Sequence, residues 1–272
     1  QLLDASASLA PWTPGFPRLS EASLRDYPDR EQGSLREVIA AIHGLPPEWV
    51  LPGNGAAELF TWAARDAAAA GLSGLLAPGF ADYRRALKCW DAASVETPLA
   101  LNWDQAGPLQ HPPLEAAVAW VCNPHNPTGQ LWGRASLEAM LDRHALVICD
   151  EAFLPLVPEA EHQSMIALVA QHPNLVVIRS LTKLFGVAGL RVGYAIAQPD
   201  RLQRWKAWRD PWPVNGVAAA LTEQWLGRPG RYERWCSRVQ RWTATQGAWM
   251  QRELARVPGI MPMPSAANFL LI

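Results

Sequence analysis

Cysteine is scarce in this chain of 272 residues. The four present, Cys89, Cys122, Cys149 and Cys236, show no C-x-x-C spacing, which excludes a disulfide framework or a zinc ribbon. Cys122 and Cys149 end apolar runs and read as inert buried thiols. The six histidines form no H-x-x-x-H or related pair, so no metal site is expected. Charge of one sign is also missing. Lys plus Arg number 24 against 25 Asp plus Glu, a net charge of -1, without the basic footprint of a nucleic-acid or anionic-membrane binder. No apolar run approaches the ~18 residues of a membrane span, and no signal peptide is visible, so the expected location is the cytoplasm. Internal repeats and low-complexity tracts are absent too.

The length suffices for one large core plus a partial smaller domain. Helical patterns around Ser34 to His43, Ala56 to Ala70, Ala135 to Arg143 and Ile166 to Gln171 alternate with short apolar runs, the βα alternation of a mainly parallel sheet covered on both faces. Residues 31–230 are expected to form the large domain, and residues 1–30 with 231–272 an incomplete small α+β domain. On one carboxy-terminal helix, Trp235, Trp242 and Trp249 recur every seven residues beside a stripe of Arg231, Arg234, Arg238 and Arg241. Such stripes ordinarily mark a core face and a solvated face. Exposed tryptophans would instead mark where further elements or a partner sit.

One stretch carries chemistry. The buried-strand pattern Asn174-Leu-Val-Val-Ile178 opens into Ser180-Leu-Thr-Lys183, and Arg191 follows eight residues after the lysine, among glycines. A lysine that attacks a carbonyl must lose its proton, so it needs burial or a nearby cation; Arg191 supplies the cation. Ser180, Thr182 and the planar fork of Arg191 suit a phosphate dianion. These are the parts for covalently holding a phosphorylated aldehyde, pyridoxal 5'-phosphate. A solvated loop lysine is the plainer alternative.

Further segments fit the same site. Val118-Ala-Trp-Val-Cys122 runs into the rigid turn Asn123-Pro-His-Asn126-Pro-Thr-Gly129, where Asn126 could hydrogen-bond the ring's phenolic oxygen and His125 reads as a loop residue. Ala145-Leu-Val-Ile-Cys149 ends in Asp150-Glu-Ala-Phe153. A carboxylate at a strand's exit points into the ligand crevice of an α/β sheet, and Asp150 could keep the ring nitrogen protonated; it could equally be a helix N-cap. Gly53-Asn-Gly55-Ala-Ala-Glu58 begins a helix whose amides suit an anion, although Glu58 breaks the dinucleotide fingerprint. Phe80 could stack on the ring or simply pack in the core.

Together with Tyr27-Pro-Asp29, Pro78-Gly-Phe80-Ala-Asp-Tyr83, Gly189-Leu-Arg-Val-Gly-Tyr194 and Ser265-Ala-Ala-Asn-Phe269, these motifs resemble, in order and spacing, the class I/II aminotransferases of the fold-type I pyridoxal-phosphate enzymes. The resemblance implies an α/β fold with a mainly parallel seven-stranded sheet. It implies Lys183 as the Schiff-base lysine, Asp150 on the ring nitrogen, Asn126 on the phenolic oxygen and Phe80 on the ring. Ala56, Ala57, Ser180, Thr182 and Arg191 would hold the phosphate, with Tyr27 reaching it from the neighbouring subunit of a homodimer.

Within the family the chain is most similar to the branch of histidinol-phosphate aminotransferase and threonine-phosphate decarboxylase. Asp-Glu-Ala-Phe153 and Ser-Leu-Thr-Lys183, where histidinol-phosphate aminotransferases usually have Asp-Glu-Ala-Tyr and Thr-Leu-Ser-Lys, tilt the expectation toward decarboxylation of L-threonine O-3-phosphate for cobalamin assembly. A histidinol-phosphate-type aminotransferase is the second expectation, and a cofactor-binding protein that has lost turnover the third. Ala10 stands where relatives carry an asparagine before the proline. The chain starts at Gln1 and stops after Asn268-Phe-Leu-Leu-Ile272, read as a strand, before the arginines that bind the substrate carboxylate in relatives. A trimmed, incomplete or naturally short protein is therefore expected.

Overall fold

A computed structural model describes residues 7–101 and 108–272. The elements in chain order are α1 (Ala22–Arg25), α2 (Gly33–Ala41), β1 (Val50–Asn54), α3 (Gly55–Ala70), β2 (Ser73–Ala77), α4 (Asp82–Lys88), β3 (Ser94–Pro98), β4 (Pro108–Leu109) and β5 (Val118–Cys122). There follow β6 (Leu131–Trp132), α5 (Arg134–Leu141), β7 (Leu146–Asp150), β8 (Leu175–Ser180), α6 (Leu181–Phe185), β9 (Val192–Ile196), α7 (Pro199–Trp208), α8 (Gly216–Leu226) and α9 (Arg231–Leu254).

Seven strands form one sheet in the order β1-β9-β8-β7-β5-β2-β3. From β8 to β3 the pairs are parallel, and β9 runs antiparallel to β8 and β1. Every residue of β5, β7, β8 and β9 is buried, as expected of strands covered on both faces. Alternation along the strands then splits the core. Val147, Cys149 and Val177 join Leu35, Ile39, Leu221, Trp225 and Val239 of α2, α8 and α9 on one face. Ile148, Val176 and Ile178 join Leu59, Phe60, Leu87 and Trp205 of α3, α4 and α7 on the other.

The register places Cys122 opposite Asp150, and Asp150 opposite Ile178. The carboxyl ends of β5, β7 and β8 therefore stop on one line, where open α/β sheets bind ligands. The amino-terminal segment crosses this edge, with the Ala10 amide donating to the Lys183 carbonyl at 3.0 Å. Gly186 makes the crossing feasible. It caps α6 at φ 64°, and a Cβ there would lie 2.7 Å from the carbonyl oxygens of Ala10 and Trp12.

Three expectations are corrected. Ile166 to Gln171 is not an α-helix; a 3-10 turn spans Met165–Leu168, because the chain must return within a few residues to β8. Residues 268–272 form no strand. A strand needs a partner along its length, and the one backbone bond here joins the Met263 amide to the Leu271 carbonyl. On α9 the buried line is Tyr232, Cys236, Val239 and Thr243, so the tryptophan stripe flanks the core and Trp249 is 47% exposed. Trp242 instead meets Trp12 edge to face at 6.1 Å, and Arg238 lies 4.3 Å over Trp12, joining α9 to the amino-terminal segment.

Candidate active site

At the carboxyl edge of the sheet lies an open cleft of about 570 Å³, lined by Ala56, Ala57, Phe80, Asn126, Asp150, Ser180, Thr182, Lys183 and Arg191. Every cleft residue expected from the sequence is there except Tyr27. That side chain is 80% exposed and stacks on Trp212 with ring centroids 4.5 Å apart.

Lys183 sits in the first turn of α6, directly after β8, so the end of a central strand fixes its origin. Burial pushes its pKa down and the Arg191 guanidinium pushes it further, with Asp150 opposing both. A lowered pKa is the direction in which an amine becomes a better nucleophile. Its Nζ stands 5.3 Å from the centre of the Phe153 ring.

Asp150, at the end of β7, is buried among apolar groups. Its Oδ2 accepts a 2.6 Å hydrogen bond from the Tyr83 hydroxyl, and its Oδ1 accepts a 2.9 Å bond from the Ala152 amide. The second bond resembles a cap, but the turn that follows at Leu154–Leu156 is 3-10 and not an α-helix. Burial raises the Asp150 carboxyl to about 6, against the lowering by those two bonds. Lys183 acts on this carboxylate only weakly and forms no ion pair with it; a buried carboxylate without a bonded cation is costly, and a protonated ring nitrogen would supply one. Tyr83 is held protonated, its pKa raised well above normal by burial and then by Asp150. Sequence reasoning missed Tyr83. The available signal was its place on the apolar face of α4 with Ala86 and Leu87, since a buried tyrosine hydroxyl needs an acceptor.

The opposite end of the cleft is built for an anion. The amides at the start of α3 and the helix dipole face it, and the Glu58 carboxylate is turned back onto the Asn54 amide at 2.6 Å. Ser180 Oγ and Thr182 Oγ1 are 2.7 Å apart. Arg191, in the left-handed region at φ 54°, donates to the Ala188 carbonyl at 3.1 Å. Gly55, at φ 74°, lets this guanidinium approach α3, because a Cβ there would lie 2.5 Å from Arg191 Nη2. The donor set fits pyridoxal phosphate: a tuned amine for the aldehyde, a carboxylate for the ring nitrogen, and hydroxyls, amides and a guanidinium for the phosphate. Among the described residues no cluster of histidine, cysteine or acidic side chains has the form of a metal site.

The family model for aminotransferase class I and II matches residues 4–272. The chain belongs to the class I and II aminotransferases. Members of this family are pyridoxal-phosphate-dependent enzymes. Threonine-phosphate decarboxylase of Salmonella typhimurium strain LT2 is 31% identical over 301 residues, covering 100% of this chain and 76% of the relative. Histidinol-phosphate aminotransferase of Symbiobacterium thermophilum is 34% identical over 260 residues, covering 93% and 70%. The solved L-threonine-O-3-phosphate decarboxylase from Porphyromonas gingivalis shares the fold, with a TM-score of 0.78 at 23% identity over 96% of this chain and 83% of that one.

His125 is buried in the Asn-Pro turn, with Nδ1 2.9 Å from Thr128 Oγ1, as a loop residue. Cys122 and Cys149 are buried and their thiol pKa values are pushed up by burial, so both are poor nucleophiles. Among the described residues no helix is long and apolar enough to cross a membrane.

Proposed function

We propose that this enzyme decarboxylates L-threonine O-3-phosphate to an aminopropanol phosphate, a reaction that would serve cobalamin assembly in the cytoplasm. The observation that carries the reading is Phe153. The wall beside Lys183 Nζ is an aromatic ring without a hydroxyl, so Asn126 would be the main side chain to donate to the cofactor's phenolic oxygen. Similarity along the full chain to the Salmonella decarboxylase supports the same reading.

The protein's own groups divide the work. Ser180, Thr182, Arg191 and the first amides of α3 would hold the phosphate, Phe80 would cover the ring and Asp150 would hold the proton on its nitrogen. When bound, the cofactor supplies an electron sink for the pair left on Cα as the carboxylate departs as carbon dioxide. Lys183 Nζ would then return a proton to Cα. The amino-terminal segment, whose Ala10 amide bonds the Lys183 carbonyl, would meet the substrate.

A histidinol-phosphate-type aminotransferase is the second reading, favoured by the Symbiobacterium relative. Lys183 would then move the Cα proton to the cofactor and no carbon would be lost. We also propose a homodimer in which exposed Tyr27 reaches the phosphate of the neighbouring subunit, and a division into a large domain of residues 31–230 and a small one of residues 1–30 with 231–272. The test is to add L-threonine O-3-phosphate to the protein loaded with pyridoxal phosphate and trap carbon dioxide. Stoichiometric release without a keto acid is expected; glutamate formation when histidinol phosphate and 2-oxoglutarate are supplied, with no carbon dioxide released from L-threonine O-3-phosphate, would support the aminotransferase instead.

A further inference from the structure

The residue after Asp150 is a second carboxylate, on the other face of the sheet. Glu151 and Arg179 form an ion pair whose side chains are both 0% exposed. Glu151 Oε2 accepts from Arg179 Nε at 3.0 Å and Nη2 at 2.7 Å, and from Ser164 Oγ at 2.8 Å. Its Oε1 accepts from the Met165 amide at 2.7 Å, and the Cys149 thiol lies 3.9 Å away. Arg179 also donates to Glu161 at 2.8 and 3.0 Å. His43 and Tyr194, 2.9 Å apart, lie on the same face, with Arg179 close enough to act on His43.

Stability alone gives little reason for such a pair, since apolar side chains of similar volume commonly replace a buried ion pair without loss. A bidentate guanidinium–carboxylate pair instead supplies fixed geometry. Its place in the chain identifies which geometry. Glu151 is covalently next to Asp150, and Arg179 is next to Ser180. The Glu151 amide donates to the Ile178 carbonyl at 2.8 Å, extending the β7–β8 ladder one step past the Asp150–Ile178 rung. The same network ties the 3-10 turn bearing Glu161 and then Ser164 back to the sheet. The intervening loop begins with Ala152, whose amide holds Asp150 Oδ1, and Phe153, which faces Lys183.

We propose that the Glu151–Arg179 pair is a positioning device for the cofactor-facing edge: it fixes the spacing of Asp150 from Ser180 and holds the Ala152–Phe153 turn against them. The proposal rests on the cleft being the pyridoxal-phosphate site and not on the choice of substrate. Neither residue touches the cleft; both act through their neighbours in the chain.

The experiment compares wild type with the double variant Glu151→Met/Arg179→Met, which removes both charges together, and with Arg179→Lys. Thermal unfolding of the cofactor-free proteins, the dissociation constant for pyridoxal phosphate, and the pH midpoint of the bound cofactor's absorption are measured. The double variant is expected to unfold cooperatively near the wild-type temperature, yet to bind at least about tenfold more weakly, the order seen when groups that orient direct ligands are removed. Its absorption midpoint should move, and Arg179→Lys should recover part of the affinity. A folded double variant that binds within twofold of wild type with an unmoved midpoint overturns the proposal. So does a double variant that cannot fold while Arg179→Lys binds as wild type, and so does failure of both to fold, which would make the pair purely structural. Wild-type protein that takes no pyridoxyl label on Lys183 after borohydride reduction would refute the cofactor site itself and is scored separately.

Discussion

Asp150 and Glu151 are neighbours in sequence, carry the same functional group, and are 5% and 0% exposed. Strand alternation sends them to opposite faces of the sheet. Asp150 meets a tyrosine hydroxyl and one amide but no protein cation bonded to it, and its carboxyl is raised to about 6. Glu151 meets a guanidinium, a hydroxyl and an amide. Burial raises its pKa as well, with Arg179 pulling against that, while Glu151 and Glu161 overcome the burial of Arg179 and keep the guanidinium charged. One carboxylate is left without a bonded cation in the wall of a cleft; the other is satisfied within the protein. An incomplete buried charge marks a place where a ligand contributes the missing partner.

The largest expected effect comes from removing the group that Asp150 faces across the cleft. Lys183→Ala should abolish turnover and the borohydride-dependent label, while noncovalent cofactor binding through Asp150 and Arg191 persists. A label retained in that variant would dissolve the contrast, because Asp150 would no longer serve a lysine-bound cofactor.

Stability of the cofactor-free protein should separate the two carboxylates by sign. Glu151→Gln leaves Arg179 underpaired and should destabilise by about 3 kcal/mol or more. Asp150→Asn should stabilise at pH 7. A carboxyl raised from 3.8 to about 6 on folding contributes most below pH 4, and that contribution, about 3 kcal/mol, is lost as the pH rises through 6. The difference between wild type and Asp150→Asn, read by denaturant unfolding from pH 3.5 to 7.5, should therefore change across that window and be flat above it. A pH-independent difference would show that Asp150 is not held in a raised state.

Tyr83→Phe removes a hydrogen bond to the charged form of Asp150, worth about 1.5–3 kcal/mol. The Asp150 midpoint in the cofactor-free protein should accordingly rise by about one unit or more, and an unchanged midpoint would put the asymmetry down to burial alone. The smallest effect is expected at Phe153→Tyr, which restores a hydroxyl beside the cofactor. Turnover should change less than about tenfold, with a measurable increase in transamination relative to carbon dioxide release.

Much of this site was legible in the sequence because its parts are local. Ser180, Thr182 and Lys183 lie within one strand-to-helix junction, and Ala56 and Ala57 within one helix start. Their geometry follows from short-range backbone rules and motif spacing. Less visible were partners chosen across long separations. Tyr83 reaches Asp150 from 67 residues away and Arg179 reaches Glu151 from 28, and nothing near either acid names its partner. The tryptophan stripe of α9 misled for a related reason. Periodicity locates a face of a helix, but the neighbours on α8 and the amino-terminal segment decided that Tyr232, Cys236 and Val239 would be the buried line.

The sequence by itself determined the βα alternation around the site, the family, and the side chains at the carboxyl ends of β7 and β8, because these depend on apolar period, turn chemistry and motif spacing. The tertiary structure decided which charges would be paired. Strand register turned Asp150 to the α3 face and Glu151 to the α9 face, and in a low-dielectric interior the energy of a carboxylate depends on the few groups within hydrogen-bonding reach.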